Sequence, residues 1–188
     1  MAVNYSSLIH ETAQGRSWLQ EIMIVLGASI IISLFAPVSI HLPFTPVPIA
    51  MQAHVILLLS CLLGSKRAVM AVLTFLFQGA IGLPVFAGGT GGILILAGPT
   101  GGYLLGYLVA AFATGLLMEK ISRRSPSKAF AAMGLGNLVV YLFGIPWLSH
   151  FIGWQSAFIL GMAPFLVGDL IKMIVATRLL KGLRFFSH

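Results

Sequence analysis

Charged residues are scarce in this chain of 188 residues: Asp, Glu, Lys and Arg together make up 8% of the sequence, whereas 59% is hydrophobic. Soluble domains carry about 25% charged residues, so a chain this poor in charge cannot cover a surface that faces water. We therefore expect most of the surface to face lipid. The sequence predicts a single transmembrane domain that comprises residues 1–188.

Acidic residues and cysteine are rarer still, with four Asp and Glu residues and one cysteine. The net charge of +7 does not indicate a nucleic-acid partner, because the basic residues lie in short breaks between apolar runs. The lone Cys61 can form neither an internal disulfide nor a cysteine cluster. His41, His54 and His150 lack metal-ligand spacing, so we interpret them as ordinary and expect no metal site. Since catalytic and nucleotide-binding motifs are also missing, we expect no catalytic residue, no enzyme and no cofactor.

What the sequence does contain is a series of apolar runs separated by polar breaks. A membrane-spanning helix needs roughly 17–25 mainly apolar residues, and several of the runs lie at the short end of that range. The sequence predicts an all-α integral membrane protein with six transmembrane helices, at residues 22–38, 49–63, 68–83, 100–118, 129–148 and 156–175.

The basic residues alternate from one break to the next. The amino terminus, the second break, the fourth break and the carboxyl terminus hold one, two, four and three Lys or Arg residues, and the other breaks hold none. Because cytoplasmic loops carry the excess of Lys and Arg, both termini are predicted to be cytoplasmic. Residues 1–21 are then a cytoplasmic segment, residues 22–178 the six-helix membrane core and residues 179–188 a cytoplasmic tail.

A Gly-rich stretch, AGGTGGILILAGPTGG at residues 87–102, falls on the predicted outer face. It carries no charge and has an apolar centre, so we expect it to fold back into the protein and line a cavity, where its amides can meet a ligand. Gly88, Gly89, Thr90 and Gly91 are its candidate ligand contacts. The alternative is that the glycines only let helices pack closely.

Two charged residues, Asp169 and Lys172, lie inside the last predicted span. Their spacing of three residues places them on one helix face. A charge near the bilayer centre costs about 2.5–3.5 kcal/mol on insertion scales, and such residues usually have a function. We predict that the pair binds a ligand; the alternative is a self-neutralising pair that only packs.

Further polar and aromatic candidates lie near the outer ends of the spans. Taken alone, each polar candidate is more typical of a hydrogen bond between helices than of a ligand contact, and the aromatic one, Phe86, could cover a ligand. These candidates are Thr45, Gln52, Gln78, Phe86, Tyr103, Asn137 and Tyr141. The first predicted helix also has a face of small residues, which suits close packing or a partner subunit: Gly27, Ala28, Ser29, Ser33 and Ala36.

Four motifs, in this order, resemble those of the BioY family, the biotin-capturing S components of energy-coupling factor (ECF) importers. They are PFTPVP at 43–48, GAIGLPVFAGG at 79–89, GPTGGYLLG at 98–106 and GDLIK at 168–172. The resemblance covers residues 22–175. It implies an S-component-like helix bundle in the cytoplasmic membrane of a bacterium, with a biotin pocket near the outer surface.

The resemblance also implies how the site and its partners are arranged. Asp169 and Lys172 would lie in the biotin pocket, and the Gly-rich stretch and the Pro-rich first loop would cover it. A transmembrane coupling subunit and two ATPases would supply the energy, and the small-residue face of the first helix is the surface that we expect to meet them. Open alternatives are an S component for another vitamin, a standalone secondary transporter and, least favoured, an intramembrane enzyme that uses Asp169.

The alternation of basic residues predicts on which side each break is accessible. In a Cys61→Ala background, Ser125→Cys and Thr90→Cys should react with an impermeant thiol reagent from opposite sides of the membrane. In intact cells we expect Thr90→Cys to be labelled and Ser125→Cys to be protected. Labelling of Ser125→Cys in intact cells would contradict the six-span topology.

Overall fold

The computed structural model describes residues 17–121 and 125–185, so predictions for residues 1–16, 122–124 and 186–188 lie outside the described part of the chain. In that part the helices and strands comprise seven α-helices, one two-stranded hairpin and a 3₁₀ turn at Ala87–Gly89. The strands β1 (Ser39–Ile40) and β2 (Ile49–Ala50) are antiparallel. The helices are α1 (Trp18–Phe35), α2 (Gln52–Leu63), α3 (Ser65–Ala80), α4 (Ile93–Ala97), α5 (Gly101–Lys120), α6 (Pro126–Ile152) and α7 (Trp154–Phe185).

Every predicted span contains a helix, but the helices differ in their ability to cross a membrane. Four are long and apolar enough by length and composition: Trp18–Phe35, Gly101–Lys120, Pro126–Ile152 and Trp154–Leu180. The helices α2 and α3 have 12 and 16 residues and are shorter than an ordinary span. The protein is therefore a multi-pass helical membrane protein, and the six-span topology stays a prediction.

The hairpin accounts for two of the errors in the predicted boundaries, each of three residues. The first span was predicted to run to Val38 and the second to begin at Ile49, whereas α1 ends at Phe35 and α2 begins at Gln52. Ile40 pairs with Ile49 and Ser39 with Ala50. Periodicity cannot distinguish a short strand from the end of a helix in an apolar run of this length. The predicted spans therefore included these residues because of their hydrophobicity alone.

Single glycines make the two tightest turns between helices. Gly64 (φ 84°) joins α2 to α3, and Gly153 (φ 80°) joins α6 to α7. A side chain is strained at these φ values, so glycine allows each turn to take one residue. As a result α6 and α7 form a hairpin whose long faces remain in contact, and this hairpin holds the charged pair.

The small-residue ridge of α5 packs against α6. Gly102, Gly106 and Ala110 are buried, and a Cβ at Gly102 would overlap the Trp147 side chain and lie 2.7 Å from the Phe143 carbonyl oxygen. The close approach of the two backbones depends on these missing side chains. The ridge therefore packs inside the protein.

The small-residue face of α1, which we predicted to contact a partner subunit, packs largely inside the chain. Ala28, Ser29 and Ala36 are buried inside the chain, and the hydroxyls of Ser29 and Ser33 donate to Gln78 Oε1 at 3.1 and 2.9 Å. Their small size lets α1 approach α3, so a partner subunit cannot contact the buried side chains. The interpretation of this face as a subunit interface was wrong for the buried Ala28, Ser29 and Ala36, and it stays a prediction for Gly27 and Ser33.

Two polar contacts bring together helix ends that the count of basic residues assigns to the same side. Arg67 at the start of α3 pairs with Glu21 at the start of α1, with 2.7 Å between Nη2 and Oε1. Glu119 Oε1, near the end of α5, accepts from the Ser65 backbone N–H at 2.7 Å. The starts of α1 and α3 and the end of α5 therefore lie at the same end of the bundle.

Substitution of two helical glycines by alanine should have opposite effects on stability. Gly102→Ala should lower the free energy of unfolding by about 1–3 kcal/mol, because the new methyl group overlaps Trp147 and the core must shift. Gly27→Ala is the matched control and should not lower the free energy of unfolding, since no atom lies within 4 Å of its ideal Cβ position. Thermal unfolding in detergent measures both, and equal effects would contradict the packing of α5 against α6.

Candidate functional site

A cavity of about 270 Å³ lies between the first loop, the Gly-rich stretch and helices α2, α5, α6 and α7. Its wall combines aliphatic and aromatic side chains with a few polar groups, as in small-molecule sites. The residues that line it are His41, Pro46, Val47, Pro48, Ala50, Gln52, Ala53, Phe86, Ala87, Thr90, Ile95, Pro99, Thr100, Tyr103, Leu104, Tyr107, Asn137, Val140, Tyr141, Gly161, Phe165, Asp169 and Lys172.

The two carboxylate oxygens of Asp169 have different surroundings. Oδ2 accepts hydrogen bonds from Asn137 Nδ2 at 2.9 Å and from the Tyr141 hydroxyl. Oδ1 lies 3.7 Å from both Lys172 Nζ and His54 Nε2, which is beyond hydrogen-bond distance. Asp169 is only 7% exposed. The carboxylate is thus oriented through one oxygen, and the other remains able to accept a hydrogen bond from a ligand.

Lys172 is held by a group other than Asp169. Its ammonium donates to the Ala50 carbonyl oxygen in β2 at 3.1 Å, and it lies in the cavity wall beside Asp169. Lys172 and Asp169 form an ion pair at 3.7 Å without a direct hydrogen bond, so each keeps hydrogen-bonding capacity for a ligand. The geometry therefore favours the interpretation in which both charged groups face a ligand.

Three residues in or beside the cavity were not predicted as site residues from the sequence. Tyr107 lines the cavity and accepts a hydrogen bond from Gln52 Nε2 at 3.1 Å. His54, interpreted as ordinary, is 4% exposed beside Asp169, and His41 lines the cavity from the first loop. Tyr107 lies four residues after Tyr103 and shares its helix face, which is a signal that could have identified it. For the histidines no spacing pattern was available.

The first loop is fastened to α7 by Thr45. Its hydroxyl donates to the Leu160 carbonyl at 3.0 Å and accepts from the Val47 backbone N–H at 3.2 Å. Thr45 was predicted to contact the ligand, but it is absent from the cavity wall and its hydroxyl is used in these bonds. The structure places it as a support for Val47, which does line the cavity.

The Gly-rich stretch folds back over the cavity, as predicted, but only in part. Thr90 and Ile95 line the wall, whereas Leu94 is 81% exposed. The apolar centre forms the short helix α4, which turns one side inward and leaves the other outside. Gly88, Gly89 and Gly91, predicted as ligand contacts, do not line the cavity.

The three glycines shape the chain around the cavity. Gly88 and Gly89 have φ values of 71° and 70°, which favour glycine. A Cβ at Gly88 would lie 2.6 Å from the His41 ring, and a Cβ at Gly91 would overlap the Leu83 carbonyl. Their place in the structure is explained by backbone conformation and close packing.

Phe86 joins the Gly-rich stretch to the core beneath it. Its ring meets Phe75 edge to face, with 5.5 Å between the centroids, and packs against Gly79, where a Cβ would overlap it. Phe86 is buried and lines the cavity. The cavity wall thus includes eight of the predicted site residues: Asp169, Lys172, Gln52, Phe86, Thr90, Tyr103, Asn137 and Tyr141.

The fold and the site together define a class of protein, a membrane-embedded helical bundle that holds a small amphipathic molecule in a cavity covered by loops. The chain has the fold of a solved structure, "Crystal structure at 2.1 A of the S-component for biotin from an ECF-type ABC transporter". The TM-score is 0.81 at 27% sequence identity, and the match covers 98% of this chain and 95% of that chain.

Sequence comparison identifies the family. The model of the BioY family matches residues 7–187. The "Biotin transporter BioY" of Rhizobium etli is 40% identical over 84% of this chain and 89% of its own length. The "Probable biotin transporter BioY" of Pyrococcus horikoshii is 37% identical over 71% of this chain and 81% of its own length. The chain belongs to the BioY family.

Tyr141 and Asp169 should be energetically coupled. Tyr141→Phe should destabilise the protein by about 1.5–3 kcal/mol, because a hydrogen bond to a charged group is lost. In an Asp169→Leu background the same change should cost little, and a double-mutant cycle measures the difference. Tyr103→Phe is the matched control, since its hydroxyl donates to the Gly161 carbonyl and its effect should add to that of Asp169→Leu. Additive effects for Tyr141 would contradict the described bond.

Proposed function

We propose that the chain captures biotin in this cavity, as the substrate-specific S component of an ECF-type importer in the bacterial cytoplasmic membrane. The observation that carries the proposal is the free acceptor Asp169 Oδ1 beside the Lys172 ammonium in a mainly apolar cavity. Relatives named as biotin transporters and a biotin S-component of the same fold support it. The function proposed is transport and involves no catalytic step.

The ureido ring of biotin matches the charged pair. A cyclic urea presents N–H donors next to a carbonyl acceptor, and Asp169 with Lys172 presents an acceptor next to a donor. A ligand carboxylate near Lys172 would instead stand close to the Asp169 carboxylate and be repelled. We therefore place the ureido ring at the charged pair and the carboxylate of biotin away from it.

The depth of the pair agrees with this orientation. Asp169 lies about four helical turns beyond the start of α7 at Trp154, which is near the middle of a bilayer. The loops that cover the cavity contribute His41, Thr90 and Thr100 to its wall. The biotin carboxylate, which is strongly hydrated, would then lie towards these loops, where water is closest.

The apolar part of biotin matches the remaining wall. The thiophane ring and the aliphatic chain need a surface that is free of unpaired polar groups. Val47, Phe86, Leu104 and Phe165 supply it between the charged pair and the loops. A few polar groups for orientation within an apolar wall are the usual arrangement for a tightly bound small molecule.

Energy for uptake would come from other subunits, because the sequence contains no ATP-binding motif. We propose a transmembrane coupling subunit and two ATPase subunits as partners. The structural neighbour is an S-component from an ECF-type ABC transporter, and this likeness supports the proposed assembly.

Binding of purified protein in detergent tests the proposal. We expect the protein to retain biotin and to resist its replacement by riboflavin or thiamine. Asp169→Asn and Lys172→Met should each weaken biotin binding about tenfold or more, because each removes a charge-assisted hydrogen bond of about 1.5–3 kcal/mol. Titration calorimetry measures the affinity, and circular dichroism checks that helix content is kept.

Two further variants separate ligand binding from structural pairing. Arg67→Met is the matched control for Lys172→Met, because Arg67 is also ion-paired but lies outside the cavity; it should leave biotin affinity unchanged. The double variant Asp169→Asn/Lys172→Met should be stable and unable to bind biotin. A double variant with restored stability and intact binding would show that the pair is structural.

A further inference from the structure

Gln52 lines the cavity and carries an unpaired hydrogen-bond acceptor. This residue begins α2 and is 5% exposed. Its Nε2 donates to the Tyr107 hydroxyl at 3.1 Å, while its Oε1 has no hydrogen-bond partner among the described residues. Both Gln52 and Tyr107 line the cavity. About 90% or more of buried polar groups in proteins are paired, so an orphaned acceptor here needs an explanation.

Tyr107 adds a donor to this acceptor. A tyrosine hydroxyl can accept one hydrogen bond and still donate its own hydrogen. Since Tyr107 accepts from Gln52, its hydrogen remains available to a group in the cavity. Gln52 and Tyr107 therefore form an acceptor–donor pair, as Asp169 and Lys172 do. The first pair comes from α2 and α5, and the second comes from α7.

We propose that Gln52 and Tyr107 form the second half of a recognition site for a cyclic urea, in which Gln52 Oε1 accepts the N–H that Asp169 does not. The inference rests on the proposed function, which places the ureido ring at Asp169. The two N–H groups of a cyclic urea point in different directions, so one carboxylate oxygen cannot satisfy both. Two acceptors on separate helices can, and the donors Lys172 and Tyr107 then serve the carbonyl oxygen between them.

This arrangement selects for ligands that have both ureido nitrogens unsubstituted. If either N–H is missing, Gln52 Oε1 or Asp169 Oδ1 keeps no partner when the ligand closes the cavity to water. A site that is built to hydrogen-bond a group strongly rejects an analogue that lacks it, because its own buried groups remain unpaired. The cavity should therefore reject biotin that is alkylated on either ureido nitrogen.

The experiment measures the affinities of the wild type and Gln52→Met for biotin and for biotin methylated on one or the other ureido nitrogen. Methionine keeps the length of glutamine and removes its polar atoms. The wild type should reject both methylated ligands. Gln52→Met should bind biotin about tenfold more weakly than the wild type. It should also stop discriminating against one of the two methylated ligands. Asp169→Asn should stop discriminating against the other methylated ligand.

Gln78→Met is the matched control for the substitution itself. Gln78 accepts hydrogen bonds from Ser29 and Ser33 and lies outside the cavity wall. This variant should unfold at a lower temperature and keep both biotin affinity and discrimination. Gln52→Met should instead lose biotin affinity and discrimination. Because it also removes the hydrogen bond from Gln52 Nε2 to Tyr107, binding and not the unfolding temperature distinguishes the two variants.

Each remaining outcome counts against a particular step. A wild type that does not bind biotin would overturn the proposed function and this inference with it. Normal biotin affinity in Gln52→Met, or weaker binding with both discriminations intact, would overturn this inference alone. If Gln52→Met does not fold, Gln52→Met/Tyr107→Phe removes the stranded hydroxyl as well. Failure of both variants to fold would assign Gln52 to the fold and reject its role in recognition.

Discussion

The structure depends on one buried carboxylate. Asp169 lies in the middle of an apolar helix bundle, where an unpaired charge is costly. The protein meets this cost with donors from another helix, since Asn137 and Tyr141 of α6 bond to one oxygen. The single-residue turn at Gly153 keeps α6 and α7 side by side. The hydrogen bonds that stabilise the Asp169 carboxylate therefore form only when α6 and α7 pack side by side.

The site exists because only one oxygen of the Asp169 carboxylate is hydrogen-bonded within the described part of the protein. Two hydrogen bonds to Oδ2 fix the orientation of Asp169, while Lys172 and His54 stop 3.7 Å short of Oδ1. The Lys172 ammonium is held back by the Ala50 carbonyl in β2, so the short hairpin contributes directly to the separation of the charges. A ligand that supplies an N–H to Oδ1 and a carbonyl to Lys172 completes an arrangement that the protein leaves open.

Sequence reasoning identified the parts of the site that stand out against an apolar background. Asp169 and Lys172 were predicted because charges inside spans are rare, and Asn137 and Tyr141 because they are polar residues near the outer ends of spans. Small and neutral residues carried no such signal. Small residues on one face of α1 are compatible with packing inside the chain as well as with packing against a partner subunit. Likewise, the sequence does not show whether Thr45 supports the first loop or contacts a ligand. Only tertiary contacts distinguish these roles.

The cover of the cavity is built from two segments that are each fastened to the bundle but hardly to each other. Thr45 ties the first loop to α7, and the Trp147 indole donates to the Gly98 carbonyl at 2.9 Å and ties the Gly-rich stretch to α6. Between the segments, the His41 ring rests against Gly88, and no hydrogen bond joins them among the described residues. A van der Waals contact costs less to break than these hydrogen bonds, because no polar group is left unpaired. The junction of His41 and Gly88 is therefore the part of the cover that separates at least cost.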